Sequence, residues 1–397
     1  MLFLINLTTH ERFLIMADSV STKMEGPSKA FKGKKFRIAI IGCGGIAQAH
    51  LDAYKSIPEV EVVAGVDINA DRLRVMHEKW GVPEENLFGA DLKTGKTISE
   101  TAWVEMLKKV KPDAVDVCTP NGVHCAPIVY CCERGVHGFV ETPMAMNPAE
   151  CEKMNAAAKK GKVKLSVGFQ QRYRANTTAL INAREKGQFG DIMYVHCQAL
   201  RRRGVPNWGV FGRKELQGGG PMIDIGVHIL ECAYCFLGSP KPVAASGNTW
   251  TYLGNRKDKT RVRSPWPGWD WKTYTVEDLA VGQIRFENGA ILQIESSFIA
   301  HIAQNDIFNW TAMGTKAGCN WETAEIYTDL NDLMVNAKPT FVGPEDWRYM
   351  FVTKLQNWVD ACRKGTKQGA SGEDGLNVQK MLNGIYESAA AGHEIAL

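Results

Sequence analysis

FRIAIIGCGGIAQAH, residues 36–50, decides the fold. Phe36 to Ile41 form a nearly continuous apolar run, the composition of a strand buried on both faces. Gly42, Gly44 and Gly45 follow at once, and Ile46 to His50 open a helical pattern. A buried strand that breaks on glycines into a helix is the first half of a parallel βαβ unit. The alternation continues outward. VEVVAGVD (60–67) reads as a second strand, and ADRLRVMHEKWG (70–81) as an amphipathic helix ending on Gly81. A short strand near Leu87 and a helix from Ala102 lead to DAVDVCTP (113–120), a strand that Pro120 stops. A helix over 123–134, a strand VHGFVE (136–141), a helix over 147–161 with Pro148 in its first turn and a last strand VKLSVGF (163–169) complete the series. Residues 34–169 are therefore expected to form an α/β domain around a parallel sheet.

Past Gln170 the period changes. MYVHCQAL (193–200), VAASGNTWTYL (243–253), LAVGQIRFE (279–287) and AILQIESSFI (290–299) alternate as half-covered strands do, and Asn288-Gly289 marks a hairpin turn between the last two. A helix over 221–237 opens with Pro221 after three glycines, and helices are expected over 346–364 and 375–391. Residues 170–397 thus read as an α+β domain with an open, mainly antiparallel sheet, serving substrate binding and oligomerisation. Residues 1–33 read as an N-terminal tail. Their apolar start is short and broken by His10, Glu11 and Arg12, unlike a signal peptide.

Composition narrows the function classes. The 397 residues are 45% hydrophobic and 23% charged, which suits two globular domains with a substantial core. A formal charge of +4 gives no cause to expect nucleic acid or a membrane surface as partner. Eleven cysteines, many in apolar runs, point to a reducing, cytoplasmic compartment. Neither Cys125 with Cys131 nor Cys232 with Cys235 has a second pair at zinc-ribbon spacing, so no metal is expected.

The glycine turn carries chemistry. Gly42 permits the sharp turn, Gly44 lets the backbone approach a pyrophosphate, and Ala47 allows the helix to pack closely on the strand; Gly45 and Ile46 begin that helix. Asp67 ends the second strand at the spacing of a ribose partner, the pattern of a Rossmann dinucleotide site. Its carboxylate accepts from a ribose 2′-hydroxyl and repels a 2′-phosphate, so NAD is the expected cofactor, with Arg72 nearby as a moderating cation. Two further segments stop at strand ends, where ligands bind such sheets: Thr119-Pro120-Asn121 with His124, and Glu141-Thr142-Pro143.

These pieces, with VDVCTPNGVH (115–124), VETPMAMN (140–147), GFQQRY (168–173), GGGPMIDIGVH (218–228) and VEDLAVGQIRFENGA (276–290), resemble the glucose–fructose oxidoreductase and inositol dehydrogenase family, Gfo/Idh/MocA. The likeness runs from about residue 35 to the C-terminus. ALRRRGVPNWGVF (199–211) is similar to members that oxidise the 3-hydroxyl of glycosides, including C-glycosides. The resemblance implies NAD-dependent oxidation of a secondary alcohol on a sugar, glycoside or cyclitol by a homo-oligomer. It implies Asn121, His124 and Glu141 around the cofactor, and Asp224 and His228 toward the substrate. By their place after strand ends, Thr119 and Gln170 are expected near the cofactor and Arg172 and Tyr173 on the floor of the substrate pocket, with core packing as the alternative for Tyr173. Arg201, Arg202 and Arg203 read either as groups for an anionic or polyhydroxy substrate or as a solvated charge run.

Asp224 and His228 are also singled out by their chemistry. They stand four apart on an otherwise apolar helix, and a histidine is suited to take the hydroxyl proton while hydride leaves. Position 142 is where the family carries a lysine that assists at this step, and here it is Thr142, which cannot hold positive charge. Three consequences are open: His228 works alone, another cation takes over, or turnover is lost. They leave three functions in view: a sugar or glycoside dehydrogenase, a glycosidase working by transient oxidation and elimination, and a redox-impaired regulatory protein that binds sugar and NAD.

Overall fold

In the computed structural model, residues 33–266, 268–344 and 346–397 are described; nearly all of the expected tail lies outside them. Six strands form the first sheet: β1 (Phe36–Ile41), β2 (Val60–Val66), β3 (Leu87–Phe88), β4 (Ala114–Val117), β5 (His137–Val140) and β6 (Leu165–Val167). Their order is β3-β2-β1-β4-β5-β6, with every neighbouring pair parallel. The order reverses between β1 and β4, so a crevice opens beyond their carboxyl ends. The connecting helices are α1 (Gly45–Tyr54), α2 (Ala70–Glu78), α3 (Trp103–Val110), α4 (Cys125–Cys132) and α5 (Pro148–Gly161). Asn69 and Asn147 cap α2 and α5 through their side chains, which fixes where each begins.

The second sheet is built from β7 (Ile192–Arg201), β8 (Pro242–Trp250), β9 (Leu279–Phe286), β10 (Ile291–Ser297), β11 (Asp306–Gly314), β12 (Ala317–Asn320), β13 (Glu325–Leu330), β14 (Leu333–Ala337) and β15 (Ile395–Ala396). Its pairs are antiparallel except β7 with β10, which run parallel at the centre. The expected Asn288-Gly289 hairpin joins β9 to β10, with Gly289 at φ 86°. The strands β11 to β14 were not foreseen. Helices α6 (Ala175–Glu185), α7 (Lys214–Gln217), α8 (Val227–Phe236), α9 (Trp347–Lys364) and α10 (Gly372–Ala391) complete the chain.

The helix expected over 221–237 is two structures in series, a π turn over Met222–Gly226 and then α8. All eleven cysteines are free, and Cys43, Cys118, Cys131, Cys132, Cys151, Cys197, Cys232 and Cys319 are buried.

The late helix α9 returns to the first sheet. Its Trp358, 1% exposed, packs against Phe36 of β1 at 6.2 Å and Phe139 of β5 at 5.1 Å between ring centroids. Phe351 packs against His50 of α1 at 5.5 Å. This docking sets Lys354, one turn from each, against the carboxyl end of β5. Trp358→Ala is expected to cost about 3–5 kcal/mol of stability, since a buried indole leaves a cavity its neighbours cannot fill. Denaturant unfolding measures it, and a loss under about 1 kcal/mol would show that α9 is not held by this contact.

Candidate active site

The glycine turn is shaped as its sequence requires. Gly42 has φ 86°, and a Cβ there would lie 2.7 Å from the Thr119 nitrogen, so only glycine fits between the ends of β1 and β4. A Cβ on Gly44 or Gly45 would meet nothing within 4 Å, leaving open space before the first N–H groups of α1. That is the surface a pyrophosphate needs. Asp67 is fixed beside it: Oδ2 accepts from the Cys43 N–H at 2.8 Å and Oδ1 from the Asn69 N–H at 2.8 Å. Arg72 is exposed in the first turn of α2, and Ile46 is half-buried.

The carboxyl ends of β4, β5 and β6 bring Thr119, Asn121, His124, Glu141, Thr142 and Gln170 into one region. Asn121 donates from Nδ2 to the Gln217 carbonyl at 3.0 Å, tying this region to α7 of the second domain. His124 does not line a cofactor surface. It is fully buried, and its ring nitrogens lie 2.7 Å from the Thr119 carbonyl and 3.0 Å from the Pro143 carbonyl, so it clamps two loops together. Thr119 Oγ1, Gln170 Oε1, Gln217 Oε1 and His228 Nδ1 are buried without a hydrogen bond among the described residues. Such atoms cost about 1–3 kcal/mol each when unmatched. They are what the amide of a nicotinamide and the hydroxyls of a polyol would satisfy, so the residues present fit a dinucleotide.

Behind this region runs a chain of buried charges. Asp116 Oδ2 accepts from the Tyr54 hydroxyl at 2.8 Å and from His50 Nδ1 at 2.7 Å. His50 Nε2 donates to Glu141 Oε1 at 2.8 Å, and Lys354 Nζ donates to the same oxygen at 2.6 Å. Glu141 Oε2 accepts the Thr142 N–H at 3.1 Å. Both ring nitrogens of His50 face carboxylates, which only accept, so the ring carries both protons. Burial opposes that charge, but Asp116 and Glu141 outweigh it and hold the His50 pKa above its ordinary value. Burial alone would likewise raise Glu141; Lys354 and His50 instead hold it well below the carboxylate range. Two anions and two cations thus balance in a dry interior.

Asp224 and His228 sit on the π turn and the start of α8. Glu277 anchors that start from outside: Oε2 accepts the Gly220 N–H at 2.9 Å, and Oε1 accepts the Met222 N–H at 3.2 Å and the Tyr386 hydroxyl at 2.7 Å. Asp224 faces Arg201, Oδ2 to Nη1 at 3.7 Å, with 21% of its side chain exposed. Burial pushes Asp224 up to about 6 despite Arg201, and burial pushes His228 down to about 4. At neutral pH the imidazole is therefore uncharged and able to accept a proton, and the Asp224 carboxylate is mostly ionised.

Two expected substrate residues are placed elsewhere. Arg172 is buried and bonds Glu231, the Gly369 carbonyl and Asp374, while the Tyr173 hydroxyl donates to Asn357 at 3.1 Å. Arg172 ties the turn after β6 to α8 and α10, and Tyr173 ties it to α9. Sequence reasoning missed Lys354, Glu277 and His50, and left Arg201 as the first of three arginines that could serve a substrate or be a solvated charge run. Lys354 was visible only as one lysine in an amphipathic helix.

The chain matches the family model for the oxidoreductase family NAD-binding Rossmann fold over residues 36–169, and the model for that family's C-terminal alpha/beta domain over residues 183–397. It is 33% identical over 373 residues to D-glucoside 3-dehydrogenase of Escherichia coli, covering 93% of this chain and 99% of that one. Identity to the myo-inositol 2-dehydrogenase of Thermotoga maritima is 26% over 349 residues, 85% of this chain and 92% of the other. The fold is shared with levoglucosan dehydrogenase in complex with NADH, at a TM-score of 0.75 and 21% identity over 91% of this chain and 99% of that one. This chain belongs to the Gfo/Idh/MocA family. It is an NAD-dependent oxidoreductase.

The place of Asp67 beside the glycine turn makes it the residue expected to set the cofactor preference. NAD is expected to bind at least about tenfold more tightly than NADP by fluorescence titration, a difference of about 1.4 kcal/mol. Asp67→Ser should narrow the gap, and equal affinities in the unaltered protein would contradict the assignment.

Proposed function

We propose that this enzyme oxidises a secondary hydroxyl of a sugar or glycoside, at carbon 3, to a ketone. The observation that carries the reading is His228: a neutral imidazole whose buried Nδ1 makes no hydrogen bond among the described residues, beside the Asp224–Arg201 pair. Bound NAD supplies the acceptor for the hydride. His228 takes the hydroxyl proton, a role that requires the uncharged ring. Asp224 and Arg201 offer an acceptor and a donor to neighbouring hydroxyls, which orients the ring carbon that reacts. The name of the Escherichia coli relative supports the choice of carbon.

No membrane-crossing role is part of the reading, and no helix among the described residues is long and apolar enough for one. We also propose that the enzyme works as a homo-oligomer built on the outer face of the second sheet. Tyr194, His196, Gln198, Gln293 and Glu295 stand half-buried there, with Tyr194 donating to Gln293 at 2.6 Å and His196 2.8 Å from Glu295. A dimer or larger mass is expected by light scattering at micromolar concentration; a monomer would rule this out.

A panel of sugars and glycosides tests the activity, with NADH formation as readout. The rate is expected with a glycoside bearing a free 3-hydroxyl and lost when that hydroxyl is replaced by hydrogen. Cleavage of the glycosidic bond without NADH would favour the elimination reading instead. His228→Ala should lower kcat at least about hundredfold with NAD affinity unchanged. In the unaltered enzyme, kcat/KM should fall as pH drops through about 6, where Asp224 gains its proton. Asp224→Asn should remove that limb and leave one nearer the value of about 4 that burial gives His228.

A further inference from the structure

Oxidation at carbon 3 leaves the far half of the sugar ring, with the anomeric carbon and its substituent, pointing away from His228. What the protein offers on the way out begins at Arg201. Its Nη1 stands 3.7 Å from Asp224 Oδ2 and donates to the Gly204 carbonyl at 3.1 Å. Its guanidinium lies over the Trp266 ring, 4.5 Å from the centroid, and 5.8 Å from that of Phe298. Trp208 continues the row. Its ring is parallel to that of Trp266 within 14°, with centroids 5.8 Å apart, and Phe211 meets it edge-on at 6.3 Å. Exposure rises along this row, from 16% of the Arg201 side chain through half-buried Trp266 to 45% of Trp208. An aromatic surface thus starts beside the Asp224–Arg201 pair and ends in solvent. Other residues hold the loops that carry it. Asp278 accepts the Leu253 and Gly254 N–H groups, and Trp269, packed on the core, donates from Nε1 to the Gly254 carbonyl at 2.7 Å. The Thr275 N–H donates to the Gly212 carbonyl at 2.9 Å, which joins the two loops.

We infer that Trp208 and Trp266 form a platform for the aglycone, and that the site selects glycosides whose aglycone is a flat, apolar, aromatic ring. The inference rests on the proposed oxidation at carbon 3, which turns the anomeric substituent toward this platform. Arg201 touches both subsites, since the same guanidinium faces Asp224 and covers Trp266. A rigid indole with nearly half its surface in water offers a ready stacking face, and ring faces match another aromatic ring in both shape and polarity. A second sugar brings hydroxyls around its whole edge, which ring carbons leave without partners. Binding energy gained at this remote ring also holds the reacting carbon in place.

Calorimetry on the full-length protein saturated with NADH tests this. NADH cannot accept a hydride, so affinity is read without turnover. The ligands are methyl glucoside, phenyl glucoside and a glucosyl-glucose disaccharide, each in both anomeric forms. In one anomeric series phenyl glucoside is expected to bind at least about tenfold more tightly than methyl glucoside. The disaccharide should bind no more tightly than methyl glucoside. In Trp208→Ala the phenyl-to-methyl ratio should fall toward one, and in Trp208→Phe most of it should remain. A merely structural role would weaken both ligands together and leave the ratio as it was. Trp266→Ala serves if thermal melting shows that Trp208→Ala does not fold. A ratio near one in the unaltered protein, or one that survives the loss of either indole, would overturn the inference. A disaccharide that binds as tightly as phenyl glucoside would overturn the choice of an aromatic aglycone. NADH formation from the same glucosides with NAD separates this inference from the oxidation reading. Equal kcat/KM and equal affinity for methyl and phenyl glucoside would keep the oxidation and remove the platform. The expected affinity ratio without any NADH would keep the platform and remove the oxidation, and binding of no glucoside would remove both.

Discussion

Glu141 is the point on which the site depends. One of its oxygens takes both the His50 and Lys354 protons, and the other takes the Thr142 N–H. Three separate parts of the chain are thereby fixed to one carboxylate: α1, which follows the glycine turn, β5, which ends at Glu141, and α9, near the C-terminal end. Charges of this kind are stable in a dry interior only as a set. Removing one partner strands the other at a cost of about 3–5 kcal/mol. The network therefore couples the integrity of the cofactor domain to the presence of the C-terminal helix. Gly168 shows how tightly the carboxylate is enclosed, since a Cβ there would lie 2.6 Å from Glu141 Oε1.

The second domain solves a matching problem at the helix that carries Asp224 and His228. Gly219 and Gly220 let the chain pass close to Tyr386 and Val276, and the π turn that follows carries Asp224. A helix begins with N–H groups that need acceptors. Glu277 provides them from the loop before β9, and Tyr386 of α10 completes the set. Its neighbour Asp278 accepts the Leu253 N–H at 2.6 Å and the Gly254 N–H at 2.7 Å, which holds the start of the tryptophan-rich loop. Adjacent carboxylates thus fix the start of the π turn on one side and the start of the tryptophan-rich loop on the other.

Local pattern made much of this legible in the sequence. The parallel strands were readable because each is buried on both faces and each ends in a turn residue. The glycine turn and Asp67 were readable because their roles depend on spacing alone. Asp224 and His228 stood out as ionisable groups on an apolar helix. Long-range pairing was not readable. Strands β13 and β14 carry an irregular mix of polar and apolar residues, so period gave no signal. Arg172 looked like a pocket residue because its true partners, Glu231 and Asp374, are 59 and 202 positions away. Lys354 is 213 positions from Glu141, and on a helical wheel it is one more cation. The threonine at 142 was visible; the ammonium against Glu141 required three dimensions.

The central claim is that hydride leaves carbon 3 of a glycoside for NAD at His228, and isotope transfer measures it most directly. A methyl glucoside carrying deuterium at carbon 3 is incubated with enzyme and NAD, and the NADH formed is analysed by mass. Deuterium should appear in the NADH, with a slower rate than for the unlabelled sugar if hydride transfer limits turnover. Label at carbon 1, 2 or 4 should not reach the NADH. NADH that gains deuterium only from one of those other carbons would contradict the account, and so would sugar turnover in which NAD receives no label at all.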